Sequence, residues 1–487
     1  FSRAQDPSGC CIFLDTRREV SPACPWDVLK MSRLYTRRNV ALLFAIASVW
    51  TLFGFFVGRQ PHHHQSSFLD RSQHVTNNRG AFRLWVSEEK DSIYLAPNFL
   101  EEYATFEERF MALWYPTDVD MKSLADFLKA RNQNLPSRWR VTDQRLSRAR
   151  VQSTGTYAAE RYVVDNLRTR FQPVKRRSTM EAKVVRAYFM PFSCTAFRNT
   201  QVKRAPVQIF SQEAVNRFVY NVLHDYPFFN KSNGVDHFYI CAHDMGTEIA
   251  RSSAEQILLN SIGVVQTADF SSFDARRSHW NGIPQVKAPG QTWQTFSPHK
   301  DIAILPLVRF DEAMVGKRAP WPHRYLGMFI GSSGGRQLRQ RLINLYRGSA
   351  DFLITNATIR GPKYIQAIHQ SRYCIVPRGM CIFTPRLAEA FIYGCVPVIV
   401  ADYYAPPLSS ILSWSKFAVF IREDNIENMH QILSSISHQD WQMLSSNLML
   451  ARKHFIYHER PRKFDHFNMI LFQIYLRVKS FSYLQNF

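Results

Sequence analysis

Two groups of residues have the types and spacing of a chemical site, and the first is Arg386 with Glu389. They lie three residues apart in the stretch 371–402, SRYCIVPRGMCIFTPRLAEAFIYGCVPVIVAD. Side chains three apart share one face of a helix, and a cation in the first helical turn opposes the helix dipole. Such a cation is favoured where an anion, for example a diphosphate, docks on the helix N-terminus. The spacing leaves a plain surface ion pair open as the alternative.

The second group is His243 with Asp244. These residues end a predicted strand, 238–242, and precede Gly246. A histidine beside an aspartate at a strand end is suited to general-base chemistry, because either side chain can accept a proton. The alternative is a structural aspartate that caps the segment after the strand.

The elements that must position the first group are predicted by the same stretch. Residues 373–376 form a short apolar run, typical of a buried parallel strand. Thr384 is a predicted N-cap, Pro385 takes the first helical position, and Gly394 suits the left-handed position after the helix. Residues 395–400 form a second buried strand. The resulting βαβ unit places its loop and helix N-terminus at the carboxyl edge of the sheet, where open α/β sheets bind ligands.

A further candidate anion site follows the predicted strand 323–330. The loop 331–336, GSSGGR, opens a predicted helix. Glycines such as Gly331 let backbone N–H groups approach an anion, and the arginines supply charge: Arg336 in the loop, and Arg339 and Arg341 on the helix. The loop lacks the ending of a P-loop and the spacing of a dinucleotide fingerprint, so a simple turn is the alternative. The other predicted elements are helices 157–170, 214–226, 425–436 and 441–457 and strands 184–190, 302–305 and 418–421.

The composition is that of a globular protein with a strong positive charge. The chain has 487 residues, 46% hydrophobic and 14% aromatic, and a formal net charge of +22. This length allows two or three domains, each with its own core. The basic residues are spread along the chain, and no zinc-finger, helix-turn-helix or RNA-recognition motif is present. We therefore expect an anionic substrate or surface as partner, and no nucleic acid.

The segment 40–58 predicts a membrane anchor. It carries no charged side chain and is long enough to cross a bilayer as a helix. Arg33, Arg37 and Arg38 precede it, and Arg59 follows, so the positive-inside rule places the N-terminus in the cytoplasm and the rest of the chain in the lumen. A buried core helix is the alternative. Residues 59–81 are polar and aperiodic, as in a stem.

The chain begins with Phe1, and Met31 starts a stretch with the pattern of a short cytoplasmic tail. We expect residues 1–30 to be upstream sequence or a dispensable extension. Asn230 and Asn356 begin glycosylation sequons, which are usable in a secretory compartment. The odd number of cysteines after the anchor disfavours a metal site or a disulfide scaffold and leaves one or two unassigned bridges open: Cys194, Cys241, Cys374, Cys381 and Cys395.

An ordered series of motifs carries a family resemblance over residues 82–457. The chain resembles the exostosin-family glycosyltransferases of the plant cell-wall type. It departs from the family pattern at Met245, at residues 228–229 and at residues 380–383. The matching segments are 155–157, 187–192, 226–230, 234–238, 242–246, 300–301, 329–331, 371–402, Trp414, 421–424 and 432–433.

The resemblance implies an α/β protein of GT-B type, with two Rossmann-like domains facing a cleft and one N-terminal transmembrane helix. It also implies a single-pass type II protein of the Golgi membrane with a luminal catalytic domain. The expected division is a tail (1–39), an anchor (40–58), a stem (59–81), an acceptor-side domain (82–310), a nucleotide-sugar-binding domain (311–456) and a segment that crosses back (457–487).

For the reaction, the resemblance implies inverting transfer from a UDP-sugar to a polysaccharide or glycan, often without a metal. No cofactor and no metal ligand are then expected. Arg386 would pair with a phosphate oxygen and Glu389 with ribose hydroxyls, while Asp244, or alternatively His243, would act as the base. The other expected donor-binding residues are Thr384, Arg378, Gly379, Gly331 and Arg336.

Two other classes of function stay open. One is a catalytically inactive partner that scaffolds another Golgi glycosyltransferase, since paired subunits occur in this family. The other is a membrane-anchored lectin, for which a nucleotide-type loop would be superfluous. A hetero- or homo-oligomer with other glycosyltransferases stays open, and the sequence does not decide the oligomeric state. The sugar, the acceptor and the linkage depend on a few polar contacts that sequence does not reveal.

Overall fold

The structure, a computed structural model, is an α/β fold around two parallel sheets. The described residues all belong to one unit, residues 78–487. The predicted tail, anchor and stem lie outside them, as do Met245, Cys381 and most of the predicted helix 214–226. Within the described part, no helix combines the length and the apolar character needed to cross a membrane. The described residues are 92–115, 155, 157–175, 184–191, 194–195, 226–244, 246, 258–271, 296–310, 323–334, 336–379 and 382–484.

The first sheet has its strands in chain order. All neighbouring strands are parallel, in the order β1-β2-β3-β4-β5. The strands are short and mostly apolar, and β3 and β4 are buried throughout, as expected of a sheet covered on both faces. They are β1 (Phe110–Trp114), β2 (Val185–Phe189), β3 (His237–Cys241), β4 (Ile262–Val265) and β5 (Ile302–Ala303). The accompanying helices are α1 (Phe99–Arg109), α2 (Ala158–Arg170) and α3 (Phe228–Ser232).

The second sheet contains a reversal of strand order. Its strands are β6 (Tyr325–Ile330), β7 (Phe352–Thr355), β8 (Ser371–Pro377), β9 (Val396–Val400) and β10 (Val419–Phe420). All pairs are parallel, and the order is β10-β9-β8-β6-β7. The chain therefore places β7 on one side of β6, at the edge of the sheet, and then places β8 on the opposite side of β6. The carboxyl ends of β6 and β8 form the topological switch point, where open α/β sheets bind ligands.

The helices of the second half are α4 (Gln337–Tyr346), α5 (Pro362–His369), α6 (Pro385–Tyr393), α7 (Met429–Ser435) and α8 (His438–Ala451). Short 3₁₀ helices cover Trp414–Lys416, Glu423–Asn428 and Arg452–Phe455.

The predicted helix of the 371–402 stretch is confirmed with its caps. The Thr384 hydroxyl accepts a hydrogen bond from the Arg386 N–H at 3.4 Å, and Pro385 is the first residue of α6. Gly394 ends the helix with a φ of 71°, a left-handed conformation that costs glycine little.

Several elements were not predicted: α1 and β1 near the start of the described chain, then β4, β7 and α5. The strands β4 and β7 have four residues each, too few for an alternating pattern to identify them. The helix α5 has only eight residues and begins at Pro362 after Gly361. The predicted boundary at residues 310–311 falls between β5 and β6.

The last helix, α9 (His466–Leu484), returns from the second half of the chain to the first. It packs against β2, β5 and α1. Its Phe472 ring lies 5.5 Å from the Phe106 ring, centroid to centroid, and Ile470 and Ile474 are fully buried. The core around the first sheet is therefore completed by residues that follow the second sheet in sequence.

Two disulfide bonds and one backbone bridge tie the strand ends. Cys194 bonds to Cys241, and Cys374 bonds to Cys395, pairings that the sequence had left unassigned. After β4, residues 268–270 run antiparallel to residues 403–405, which follow β9. The Phe270 N–H donates to the Tyr403 carbonyl at 3.1 Å, so the carboxyl edges of the two sheets meet at this point.

Candidate functional site

Arg386 lies at the switch point of the second sheet. Its guanidinium donates two hydrogen bonds to the carbonyl oxygen of Ile330, the last residue of β6, at 2.9 and 3.3 Å. A third goes to the Thr384 hydroxyl at 3.3 Å, and the group lies 4.9 Å above the centre of the Phe329 ring. Among the described residues, no carboxylate lies within 4 Å of this guanidinium. The alternative of a surface ion pair with Glu389 is therefore wrong.

Gly331 makes this position of Arg386 possible. A Cβ atom on Gly331 would overlap the Arg386 guanidinium, so only glycine leaves the space that the cation occupies. The Gly331 N–H donates to the Thr355 carbonyl at 3.2 Å, which holds the loop against the end of β7. Further along the same loop, the Ser333 N–H donates to Asn356 Oδ1 at 2.9 Å. The predicted glycine loop is thus fixed against the strand ends.

Arg339, which the sequence places on the helix after the glycine loop but not among the expected donor-binding residues, joins Arg386. Its Nε donates to the Arg378 carbonyl at 3.1 Å and its Nη2 to the Pro377 carbonyl at 3.4 Å. It lies 5.8 Å from the centre of the same Phe329 ring. Its place in the first turn of the helix after the loop, three residues beyond Arg336, is the signal that could have found it.

The electrostatics of Arg339 show how closely the cations approach. Burial, followed by the charges of Arg386 and Arg336, lowers the pKa of Arg339 to about 10. Arg336 is the half-buried N-cap residue of α4. No hydrogen bond from Arg339 or Arg386 reaches a carboxylate among the described residues; their partners are strand-end carbonyls, Ser332 and Thr384. These three arginines, which we call the arginine cluster, form no ion pair with a carboxylate of the described residues, and their positive charge is suited to an anion.

Glu389 lies on the inner side of α6, beside the cluster. Its Oε2 accepts a hydrogen bond from the Tyr364 hydroxyl of α5 at 2.7 Å. Burial raises the pKa of Tyr364, and the Glu389 charge raises it further, so the phenol stays a donor. Arg386, Glu389 and Tyr364 line one small cavity between β6, β8 and the two helices. The Tyr364 hydroxyl thereby fixes the Glu389 carboxylate, whose other oxygen accepts no hydrogen bond from the described residues.

Arg378 has a different place from the one predicted. It is buried, and its guanidinium pairs with Glu423 at 3.0 Å and with Asp269 at 3.5 Å. Asp269 follows β4 of the first sheet, so Arg378 links the two halves. Its contribution to the cluster is its carbonyl oxygen, which accepts from Arg339. Gly379 follows it, half-buried, and an anion-binding role for Gly379 stays a prediction.

His243 and Asp244 form a turn at the carboxyl end of β3. The Gly246 N–H donates to the His243 carbonyl at 2.8 Å, and the Thr267 hydroxyl donates to the Asp244 carbonyl at 2.8 Å. The His243 ring stacks on Tyr157 at 5.0 Å. Both side chains are half-buried, and the Asp244 carboxylate accepts no hydrogen bond from the described residues. Residues 245 and 247–257, which Asp244 would cap in the structural alternative, lie outside the described residues, so both interpretations of Asp244 stay predictions.

Glu160 is a second residue that the sequence did not single out. It is fully buried in α2 and accepts from the Thr195 N–H at 3.3 Å, the Thr195 hydroxyl at 2.8 Å and the Ala242 N–H at 3.2 Å. It thus fixes the residue directly before His243. The available signal was its spacing, because Glu160 shares a helix face with Val163 and Leu167 and so had to be buried.

The predicted site residues fall at two places. Arg386, Thr384, Gly331, Arg336 and Glu389 gather at the switch point of the second sheet. His243 and Asp244 lie at the carboxyl edge of the first sheet. In the described part of the chain, no three His, Cys, Asp or Glu side chains are grouped so that they could hold a metal ion.

The chain is similar in sequence to known glycosyltransferases. The Exostosin GT47 domain matches residues 118–436, more than half of the chain. A probable glycosyltransferase of Arabidopsis thaliana is 28% identical over 62% of this chain and 61% of its own length. A probable glucuronosyltransferase of Oryza sativa subsp. japonica is 25% identical over 50% of this chain and 58% of its own. The chain thus spans less than two thirds of the length of these curated relatives.

Solved structures show only a distant likeness. MurG of Acinetobacter baumannii is 11% identical, with a TM-score of 0.26 over 75% of this chain and 99% of its own. The N-terminal domain of Candida albicans trehalose-6-phosphate phosphatase is 8% identical, with a TM-score of 0.31 over 81% of this chain and 99% of its own. At these scores the likeness carries no conclusion about arrangement or activity.

Proposed function

This chain belongs to the exostosin GT47 family, and we propose that it acts as a glycosyltransferase that moves a sugar from a UDP-sugar to a hydroxyl group of a polysaccharide or other glycan. In this proposal, the two sheets belong to the two halves of a GT-B arrangement. The second sheet would hold the donor, and the first sheet would hold the acceptor.

The observation that carries the proposal is the arginine cluster at the switch point. Two guanidiniums of the cluster share one aromatic ring, and no described carboxylate compensates them. A diphosphate carries the negative charge that would compensate these guanidiniums. That negative charge grows when the bond to the sugar breaks. Positioned cations in a partly buried site stabilise such a leaving group without a metal ion. Glu389, held by Tyr364, is placed to accept hydrogen bonds from ribose hydroxyls.

In the proposed reaction, the acceptor hydroxyl oxygen attacks the anomeric carbon of the donor sugar. The bond from that carbon to the UDP oxygen breaks, and UDP leaves with the bonding electrons. The acceptor proton passes to the Asp244 carboxylate, with His243 as the alternative base. Direct displacement from the face opposite UDP inverts the anomeric configuration. Glu160 acts indirectly, because it fixes the backbone from which the base projects.

We also propose that the protein is a single-pass type II protein of the Golgi membrane, anchored by residues 40–58. The two disulfide bonds support this location, since disulfides persist in the oxidising secretory pathway. Protease protection of intact Golgi vesicles tests it. Digestion of the described part without detergent would contradict a luminal location.

The donor site is tested by thermal melting of the purified chain with and without millimolar UDP. A ligand that binds only the folded state raises its stability by RT ln(1 + [L]/Kd), so a clear upward shift is expected. Absence of a shift at this concentration would overturn the donor site.

The cluster itself is tested by Arg339→Ala. A hydrogen bond to a charged group contributes about 1.5–3 kcal/mol, so UDP should bind roughly ten- to a hundredfold more weakly. Arg339→Lys keeps the charge without the forked geometry and should be intermediate. The matched control is Arg341→Ala on the same helix, because Arg341 is exposed and pairs with Glu427. Equal affinities for the two alanine variants would remove the cluster from the donor site.

A further inference from the structure

The segment 266–271, which follows β4, carries polar groups that the fold leaves unpaired. Gln266 is 1% exposed, and neither atom of its side-chain amide has a hydrogen-bond partner among the described residues. Ser271 is equally buried, and its hydroxyl also lacks a partner there. Buried polar groups are nearly always hydrogen-bonded, because an unpaired one forfeits its hydration. Two such groups in six residues are suited to a polar ligand.

An exposed aromatic side chain lies against the same segment. Tyr403 is 43% exposed, and its ring meets the Phe270 ring edge to face at 5.9 Å. Its φ is 61°, a left-handed conformation that is unfavourable for a residue with a large side chain. The Tyr403 carbonyl accepts from the Phe270 N–H, and Tyr404 is buried beside Asp269. The fold therefore holds one tyrosine ring outward and its neighbour inward at the junction of the two sheets.

The location joins the two candidate site regions. Thr267 donates to the carbonyl of Asp244, the proposed base. Asp269 pairs with Arg378, whose carbonyl accepts from Arg339 of the arginine cluster. The segment 266–271 thus contacts the turn that carries Asp244 on one side and Arg378, beside the arginine cluster, on the other. An acceptor must lie between these two regions for its hydroxyl to reach the donor sugar.

We propose that the segment 266–271, together with Tyr403, forms a subsite for a neutral pyranose unit of the acceptor glycan. A pyranose has an apolar face of C–H groups that packs on an aromatic ring, and a rim of hydroxyls that both donate and accept hydrogen bonds. The exposed ring of Tyr403 is suited to the apolar face of the sugar. The Gln266 amide and the Ser271 hydroxyl are suited to its hydroxyl groups. The subsite rests on the proposed function and names which residues hold its acceptor.

Binding is measured on an array of immobilised xylan, galactan, cellulose and pectin oligosaccharides, with the purified chain and saturating UDP. The wild-type chain is expected to bind at least one of them. Tyr403→Asn removes the ring but keeps a residue that tolerates the left-handed conformation, so binding should weaken about tenfold while folding is preserved. Tyr403→Phe keeps the ring and should bind within about twofold of the wild type. The control Leu450→Asn removes an exposed apolar side chain of α8 and should have no effect.

Gln266→Met supplies a second measurement. Replacing an unpaired buried amide by an apolar side chain of similar volume should raise the melting temperature, while glycan binding falls about tenfold. A purely structural role for Gln266 would lower the melting temperature, and a structural water held by the amide would leave glycan binding unchanged. Either result would overturn the role of Gln266.

The outcomes separate the subsite from the proposed function. If UDP stabilises the chain but Tyr403→Asn binds glycans as the wild type does, or the wild type binds none of them, the subsite is wrong and the donor site stands. If UDP produces no stabilisation either, the proposed function itself has failed. The expected pattern is unchanged UDP stabilisation in every variant, with glycan binding lost only in Tyr403→Asn and Gln266→Met.

Discussion

The carboxyl edges of the two sheets have opposite electrostatics. At the second sheet, Arg386 and Arg339 are held by strand-end carbonyls, and their charges stay uncompensated among the described residues. At the first sheet, Glu160 and Asp269 are held by backbone N–H groups. A sheet edge thus becomes a site for anions when its arginines are positioned by carbonyl oxygens, which fix a cation without neutralising it.

Topology explains why the cluster lies where it does. The strand order reverses between β6 and β8, so the loops that leave these neighbours diverge and open a crevice. The described strands of the first sheet follow one another in chain order, with no such reversal. In the first sheet, two segments lie where the two sheets meet. One is the turn that contains Asp244, and the other is the extended segment that contains Asp269.

The largest expected effect separates the chemistry of the two edges. Asp244→Asn should lower the rate of sugar transfer by about 100- to 10,000-fold, the usual contribution of a general base. UDP affinity should not change, because the residue belongs to the first sheet. Radiolabelled transfer and UDP titration, performed on one preparation, provide both measurements. Transfer at the wild-type rate would remove Asp244 from the base role, and His243→Ala would then be the next variant to measure.

The next effect concerns the space beside Arg386. Gly331→Ala should displace the guanidinium and weaken UDP binding by about tenfold or more, since the added methyl group occupies its position. Gly348→Ala is the control: its φ of 84° makes alanine strained, but no atom lies within 4 Å of the new Cβ. That control should lose about 1 kcal/mol of stability and no UDP affinity. If both variants bind UDP normally, Arg386 does not touch the diphosphate.

A pH effect on stability is expected at two buried histidines on the first-sheet side. Burial lowers the pKa values of His454 and His466 to about 4 from an ordinary 6.5. The Nδ1 of His466 bonds to the His454 carbonyl, and its Nε2 accepts from the Leu305 N–H, an arrangement that needs the neutral ring. The unfolded chain then binds more protons below pH 6.5, so stability is complete above that value and falls between pH 6.5 and 4.

At pH 5 the loss is about 2 kcal/mol for each histidine. Urea unfolding at pH 7 and pH 5 measures it. His466→Gln should reduce the difference in the free energy of unfolding between the two pH values, whatever its absolute stability. If the free energy of unfolding of the wild type is the same at pH 7 and pH 5, then His454 and His466 are not held neutral in the folded chain.

The smallest effect tests how Glu389 is held. Tyr364→Phe removes the hydroxyl that donates to Glu389, so the carboxylate loses its fixed orientation. The ratio of affinities for UDP and 2′-deoxy-UDP should fall by about threefold, as one neutral hydrogen bond allows. Tyr325→Phe, at the opposite end of β6, is the control. An unchanged ratio would mean that Glu389 does not contact the ribose.

Local signals in the sequence predicted the second-sheet edge well. Thr384, Pro385 and Gly394 determine where α6 begins and ends, and each acts through its own backbone or its nearest neighbours. Arg386 was identified because its position in the first turn is unfavourable without an anion. Such signals need no knowledge of the rest of the chain, which is why the strand, helix and strand of this stretch are confirmed.

Contacts between distant segments were beyond sequence reasoning. Arg378 was expected to bind the donor, but it pairs with Asp269 of the first sheet and with Glu423. Arg339 was not selected, because its approach to Arg386 depends on two strands ending side by side. Glu160 looked like an ordinary helical acid. In each case the partner lies far away in sequence, and no local periodicity encodes it.

The return of α9 to the first sheet has a consequence for synthesis. The ribosome delivers all five described strands of the first sheet well before residue 466, yet Ile470 and Ile474 fill the core beneath them. The apolar face that α9 covers therefore stays open while the second sheet is being translated. The half that is translated first is therefore completed last, and until α9 has been translated its exposed apolar surface favours aggregation.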